Sequence, residues 1–326
     1  MAFLIIPIPH MTSMLIVLCS ARVNGMVYLF HPQVLLAGSM EDCTVWMYHV
    51  VTSKCLQVFV GHESGVSAGD FTPDGRWALS ASADGSLRVW APRTGKSKHI
   101  FRFGDSGAGL TSLGTGGGTD GQLVVAGAED GKAHVCHIPS KKVIYSLQHY
   151  DVPLQAINEG AELPMSVEAV GFASTNPNWC ATGGMDGTVK VWDLGNSGQC
   201  RLSMRPSIAS AGVENSEAAS GQSHPEERGA EPPAAAGITR LQWHPQQPLI
   251  FASYADGAVR VWDARNGQLV KDLTGNTDVI NGMAVTVSAN TTDTSGSGSG
   301  NSESSTRTVT AVLTGGDDQS VRIFEL

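Results

Sequence analysis

The stretch SASADGSLRVW at residues 80–90 sets the reading of the whole chain. A run of small residues, an Asp84-Gly85 turn and a second run closing on Val89-Trp90 form a hairpin signal, because Asp-Gly supplies the tight turn between two strands. Two further stretches repeat it, TGGMDGTVKVWD at 182–193 and SYADGAVRVWD at 253–263. Working outward, an acidic residue stands six positions before a large side chain in six places: Glu41/Met47, Asp84/Trp90, Asp130/Cys136, Asp186/Trp192, Asp256/Trp262 and Asp318/Phe324. One supersecondary unit used repeatedly is the mark of a propeller or solenoid, which buries its core by stacking neighbours. An all-β chain that serves as a surface for other molecules is expected.

Four strands, a to d outward from the axis, fit around each hairpin. In the first unit they are expected at 26–30, 34–39, 44–49 and 55–60, and in the second at 66–71, 77–82, 87–91 and 98–103. Later hairpins lie 56, 70 and 62 residues apart rather than 43 or 46, and the excess is insertion. Residues 150–165 and 203–237 fall between strand d of one unit and strand a of the next, and 288–307 fall between a and b of the last. The latter two are rich in Ser, Gly, Ala and Pro, so they are expected to be disordered loops with too little apolar surface to offset ordering.

Composition suits an intracellular β-protein, with 38 glycines for tight turns and only 16% charged residues. The 30 acidic against 21 basic residues leave a net charge of −9. Phosphate binding needs a basic footprint, so a cationic protein segment fits better than nucleic acid as the principal partner. Cys19, Cys43, Cys55, Cys136, Cys180 and Cys200 show no pairing pattern and read as reduced thiols, most in apolar strand contexts. His134, Cys136 and His137 do not make a metal site, since on a strand His137 faces away from the other two. No metal and no cofactor are expected. Residues 1–25 form an atypical segment ahead of a repeat body at 26–326. A signal peptide or membrane span is not expected there, since no basic region precedes it and the apolar run MLIVLC is only six residues. The segment reads either as a strand completing the fold or as a start from an alternative first exon. The expected compartment is the cytoplasm, with the nucleus compatible.

The glycine-rich runs at 114–118 and 296–300 open no helix and lack a following Gly-Lys-Ser/Thr, so they are loops rather than phosphate cradles. His62, Ser80 and Asp84 match a catalytic set by residue type only. Their spacing, closed by Trp90, suits side chains that hydrogen-bond within one sheet and brace it, and nothing nearby offers an oxyanion hole. The structural set is His62, Ser80, Asp84 and Trp90, with Asp186, Trp192, Asp256, Trp262 and Asp318 in other units. No catalytic residue is expected.

The Gly-His, Asp-Gly and Val-Trp-Asp elements, as in VFVGHESGVSAGDFTPDGRWALSASADGSLRVW at 58–90, resemble those of the WD-repeat family. More narrowly, HPQVLLAGSMEDCTVWMY at 31–48, ATGGMDGTVKVWDL at 181–194, LQWHPQQPLIFASYADGAVRVWDARNGQLV at 241–270 and LTGGDDQSVRIF at 313–324 resemble the angio-associated migratory cell protein group. The resemblance covers residues 26 to 326. It implies a β-propeller of four-stranded blades, here six recognisable ones. The group carries eight repeats behind an acidic tail, so an incomplete arc of an eight-bladed ring is expected, with reduced function as a truncated product one alternative. Met47, Cys136 and Phe324 stand where Trp is usual, and Gly275-Asn276 replaces Gly-His. Propellers of this kind usually complete the last blade with an amino-terminal strand, and SMLIVLC at 13–19 is the only candidate before residue 26. The arc is expected to stay open, with 1–25 only loosely placed.

In such a propeller the d–a loops and b–c turns emerge on one face. The candidate partner-binding residues there are Glu63, Asp105, Glu129, Asp151, Met185, Asp278 and Asp317, with further glutamates in 203–237. Acid concentrates among them, which suits a Lys/Arg-rich segment recognised by charge. By resemblance to yeast members that look like chaperones of a newly made, basic large-subunit ribosomal protein, such a protein is the candidate partner. The alternative is a scaffold in signalling, cell migration or ubiquitin-ligase assemblies. Neither direct nucleic-acid binding nor a membrane is expected.

Overall fold

The repeated Asp-Gly signal becomes a repeated sheet because each turn is built alike. In five turns the aspartate Oδ1 accepts the amide N–H two residues on: Ser86 to Asp84 (2.9 Å), Lys132 to Asp130 (3.2 Å), Thr188 to Asp186 (2.9 Å), Ala258 to Asp256 (3.0 Å) and Ser320 to Asp318 (3.0 Å). The intervening residue then takes a left-handed conformation, which glycine adopts without steric cost. Gly85, Gly131, Gly187 and Gly257 have φ between 72° and 80°, and Gln319 takes 59° in the last turn.

A computed structural model describes residues 4–6, 15–17, 27–31, 34–103, 107–150, 166–206, 236–291 and 306–326. Strands β1 (Leu4–Ile6) and β2 (Leu15–Val17) pair with each other. Blade 1 follows, with β3 (Val27–His31), β4 (Val34–Gly38), β5 (Thr44–His49) and β6 (Lys54–Val60). Blade 2 holds β7 (Val66–Phe71), β8 (Ala78–Ser82), β9 (Ser86–Trp90) and β10 (Ser97–Arg102). Blade 3 holds β11 (Leu110–Gly117), β12 (Leu123–Ala128), β13 (Lys132–His137) and β14 (Lys142–Gln148). Blade 4 holds β15 (Val167–Phe172), β16 (Trp179–Gly184), β17 (Val189–Asp193) and β18 (Gln199–Met204). Blade 5 holds β19 (Ile238–Trp243), β20 (Leu249–Tyr254), β21 (Val259–Asp263) and β22 (Leu269–Leu273). Blade 6 holds β23 (Ile280–Thr291), β24 (Thr306–Gly316) and β25 (Val321–Glu325). All pairing is antiparallel and sequential within each blade.

The fold is thus the expected all-β array, with two refinements. Five blades have four strands, whereas the sixth has three among the described residues. Among the described residues no strand pairing joins the sixth blade to the first, and β2, inside the 13–19 candidate, pairs instead with β1. A hairpin partner so close in sequence costs little loop-closure entropy, which favours the local pairing. Two insertion bounds also shift. Ser203 and Met204 pair with Lys190 and Val189, and pairing between β23 and β24 runs on to Thr291↔Thr306, inside the stretch expected as loop. Alternating Thr, Val and Ala there supplies β-branched residues that extend the ladder.

The core lies between blades. Leu36, Val45, Met47 and Phe59 of blade 1 pack on Val66, Phe71, Ala78 and Trp90 of blade 2. The same layering joins blades 2 and 3, 3 and 4, 4 and 5, and 5 and 6. Each large side chain buried in such a seam contributes roughly 1.5–3 kcal/mol. The inner strands are also tied by hydroxyls: Ser67 donates to Leu110 O (2.5 Å), Thr111 to Val167 O, and Thr239 to Ile280 O (2.7 Å).

Candidate functional site

The seam between blades 1 and 2 holds the sequence-derived structural set in one hydrogen-bonded chain. Burial holds the His62 pKa below its ordinary value despite the Asp84 charge, so the ring is neutral. A neutral ring has one donor and one acceptor. Trp90 Nε1–H donates to Ser80 Oγ (2.8 Å), Ser80 donates to His62 Nε2 (2.7 Å), and His62 Nδ1–H donates to Asp84 (2.8 Å). Burial opposes ionisation of Asp84, but bonds from Ser86, the Glu63 amide and His62 overcome it and hold the carboxyl at about 2. The Ser80 hydroxyl is fully buried and consumed within this chain, so this set braces the sheet and offers no exposed nucleophile.

Blade 4 repeats the brace with a histidine that the sequence reading missed. Trp192 donates to Thr182 Oγ1 (2.9 Å), whose hydroxyl reaches His149 Nδ1 (2.7 Å), and His149 Nε2 lies 3.7 Å from Asp186. His149 follows Gln148 rather than Gly, and the 151–165 insertion separates it from Asp186. Its only signal is its place directly after strand d. In blade 5 the brace is different: Arg260 stacks 4.3 Å over the Tyr254 ring and reaches Asp256 at 2.7 Å, while Trp262 stays buried. In blade 6 Asn276 substitutes for the ring, accepting from Thr314 (2.9 Å) and donating to Asp318 (3.4 Å). His134 stacks on Phe103 at 4.3 Å, and His137, on the other face, bonds Asp120 and Ser140. Among the described residues no group of three or more His, Cys, Asp or Glu side chains could hold a metal ion. No described helix is long and apolar enough to cross a membrane.

Five of the seven candidate binding residues lie at one edge of their sheets, where each b–c turn is tied to the start of its own strand a. The ties are Ala83 N–H to Gly65 O (2.9 Å), Glu129 to Gly109 (2.9 Å), Met185 to Ser166 (3.1 Å) and Asp317 to Val279 (3.0 Å). Glu63 sits directly over its turn, because its amide donates to Asp84 (3.0 Å). Glu129, Asp278 and Asp317 are exposed, and Asp317 also accepts from Asn281 (2.5 Å). Met185 is 47% exposed and Met40, at the matching place in blade 1, is 45% exposed. Each packs against a glycine opening the next blade, Gly237 and Gly65. Asp105 and Asp151 lie outside the described residues.

Comparison with known proteins agrees with this geometry. Residues 53–91 and 164–193 match the family "WD domain, G-beta repeat", and residues 228–288 match "Anaphase-promoting complex subunit 4 WD40 domain". The human angio-associated migratory cell protein is 29% identical over 269 residues, covering 80% of this chain and 54% of that protein. The chain carries a WD40 propeller domain related at moderate identity, over most of its length, to the angio-associated migratory cell proteins. An uncharacterized WD repeat-containing protein of Schizosaccharomyces pombe is 27% identical, covering 84% of this chain and 55% of its own length. Cilia- and flagella-associated protein 52 of Bos taurus is 23% identical, covering 93% and 38%. The chain spans about half the length of the first of these relatives. WD40 domains generally mediate protein–protein interactions, and the braces described here are structural.

Proposed function

We propose that the chain holds a basic protein segment against the turn edge of its blades, as a chaperone or adaptor, with a newly made large-subunit ribosomal protein as the candidate partner. The observation that carries this reading is the set of exposed carboxylates, Glu63, Glu129, Asp278 and Asp317, at the one edge where turns and loops meet. Asp105 and Asp151 belong to the set by sequence. Rigid turns tied to strand backbones suit such a site, because charges that are already positioned lose little entropy on binding. Capture of proteins from lysate at low and high salt, identified by mass spectrometry, tests it. Basic proteins should be held at low salt and released at high salt. Replacing Glu63, Asp105, Glu129 and Asp317 together by Lys should abolish capture, while each exposed change shifts stability by under about 0.5 kcal/mol. Salt-sensitive capture that survives in this variant would sink the reading. Met40 and Met185 favour the alternative of an apolar-anchored scaffold in signalling, migration or ubiquitin-ligase assemblies. That alternative requires capture indifferent to salt and lost on Met40→Ser with Met185→Ser.

A further inference from the structure

The rim of blades 2 and 3 carries charge opposite in sign to the molecule as a whole. Residues 91–103 and 138–150 contain Arg93, Lys96, Lys98, Arg102, Lys141 and Lys142 and no Asp or Glu, in a chain of net charge −9. All six side chains are exposed. Five other basic residues, Arg76, Lys132, Arg260, Arg265 and Arg322, each have an aspartate partner. None of the rim six has an ion-pair partner among the described residues.

The two stretches form one surface. In blades 2, 4 and 5 a left-handed glycine ends the turn between strands c and d and lies against the outer strand of the preceding blade. Gly95 meets Gln57 and Val58, Gly198 meets Tyr145 and Leu147, and Gly267 meets Leu202 and Met204. Lys141 occupies that turn position in blade 3, with φ 55°. It therefore faces β10, and after burial it is the second cause holding the His99 pKa down. Ile100, Val143 and Ile144, exposed by 36%, 42% and 44%, stand among the basic side chains. The aromatic residues turn away: Phe101 and Phe103 are buried, and the Tyr145 hydroxyl donates to Leu194 O at 3.0 Å.

We propose that this rim docks an acidic, aliphatic-bearing segment of a partner protein, at a surface separate from the turn edge. Unpaired lysines and arginines supply the attraction, and the three aliphatic side chains give such a segment apolar contacts that a bare polyanion would not use. A single-stranded nucleic acid would want exposed Phe, Tyr or Trp rings for stacking, and the rim presents none of these, its His99 ring being half-buried edge-on to Phe101. A long polyanion would also meet the net negative charge of the rest of the chain, whereas a short segment within about 10 Å of the rim is screened from it.

Fluorescence anisotropy with the full chain and a short labelled peptide of alternating Glu and Leu tests this. Binding should appear at low salt and weaken as salt rises. Lys98→Glu, Lys141→Glu and Lys142→Glu together should weaken it at least about tenfold, with an unchanged melting temperature. Glu63→Lys with Asp317→Lys should not weaken it, which separates this site from the turn edge. Three results would overturn the proposal: no binding at low salt, undiminished binding in the triple variant, or tighter binding of oligouridine than of the peptide. Equal binding of a Glu-Ser peptide would also overturn it, since the aliphatic contacts would then do nothing.

Discussion

Blades 2 and 3 stand side by side with the same strand order and the same Asp-Gly turn, yet the polar chain bracing one is absent from the other. In blade 2 it runs from Trp90 through Ser80 and His62 to Asp84. In blade 3 Ala126 and Cys136 stand where Ser80 and Trp90 do, and Asp130 pairs with Lys132 at 2.9 Å. Cys136 instead shares a buried apolar cluster with Phe101 and Phe103, with His134 stacked on Phe103. A filled seam is therefore the requirement, and a hydrogen-bonded brace is one way of meeting it. Buried polar networks and apolar packing are near equals in net stability, because each hydrogen bond returns only about 1 kcal/mol after desolvation. What the polar version adds is an anchored loop: Asp84 also accepts the Glu63 amide, so the turn and the loop beside it are fixed together.

Single substitutions should separate the two solutions. Trp90→Ala removes the largest fully buried side chain of the first seam and should cost about 3–5 kcal/mol. Cys136→Ala, at the matching place, should cost only about 1 kcal/mol. Denaturant titration of both variants checks this, and equal losses would mean that the two seams depend on that position alike. Next in size, Asp84→Ala strips a buried acceptor from four donors and should cost about 1–3 kcal/mol. Asp130→Ala should cost under about 1 kcal/mol, since its lysine partner is partly exposed.

Acid should act on the same distinction. His62, like His134, whose burial brings it to about 4, is neutral in the fold. Their contribution is present above about 6.5, the ordinary value of a free imidazole, and is lost as pH falls below it. Asp70 works in the other direction: burial outweighs its bond from Thr115 and raises it to about 6, so it favours the folded state as pH falls from about 6 toward 3.8. The steepest loss should come between 3.8 and about 2, where Asp84, Asp186 and Asp318, all held at about 2, are protonated. Melting temperature against pH should show this, and Asp84→Asn should flatten the acid limb. An unchanged limb in that variant would remove Asp84 from the account.

The hairpins and their turns were legible because Asp-Gly encodes a local geometry, an Asx bond followed by a left-handed residue. Strand c was legible through its closing large side chain. The braces were legible only where chain spacing was undisturbed, as from His62 to Asp84. His149 escaped because an insertion displaced its partner, and the Arg260–Asp256–Tyr254 brace escaped because, beyond its turn aspartate, it shares no residue type with the histidine version. The basic rim escaped for another reason. Its charges lie on two outer strands and the turns leading into them, far apart in sequence, and a net charge of −9 conceals a local excess of the other sign.

The smallest expected effect bears most directly on why blades tolerate different braces. Asn276 in blade 6 does the work of His62 with an amide, accepting from Thr314 and donating to Asp318. A neutral imidazole offers the same single donor and acceptor in this setting. Trp90 meets the His62 ring edge-on at 6.1 Å, whereas blade 6 offers Phe324 at that position. If hydrogen-bond count decides the matter, Asn276→His should leave the unfolding free energy from denaturant titration within about 0.5 kcal/mol of the original. A gain above about 1 kcal/mol would show that the ring stabilises by packing as well as by bonding. A loss of that size would show that the Phe324 seam has no room for a ring, and that each brace is matched to the side chain closing its own strand.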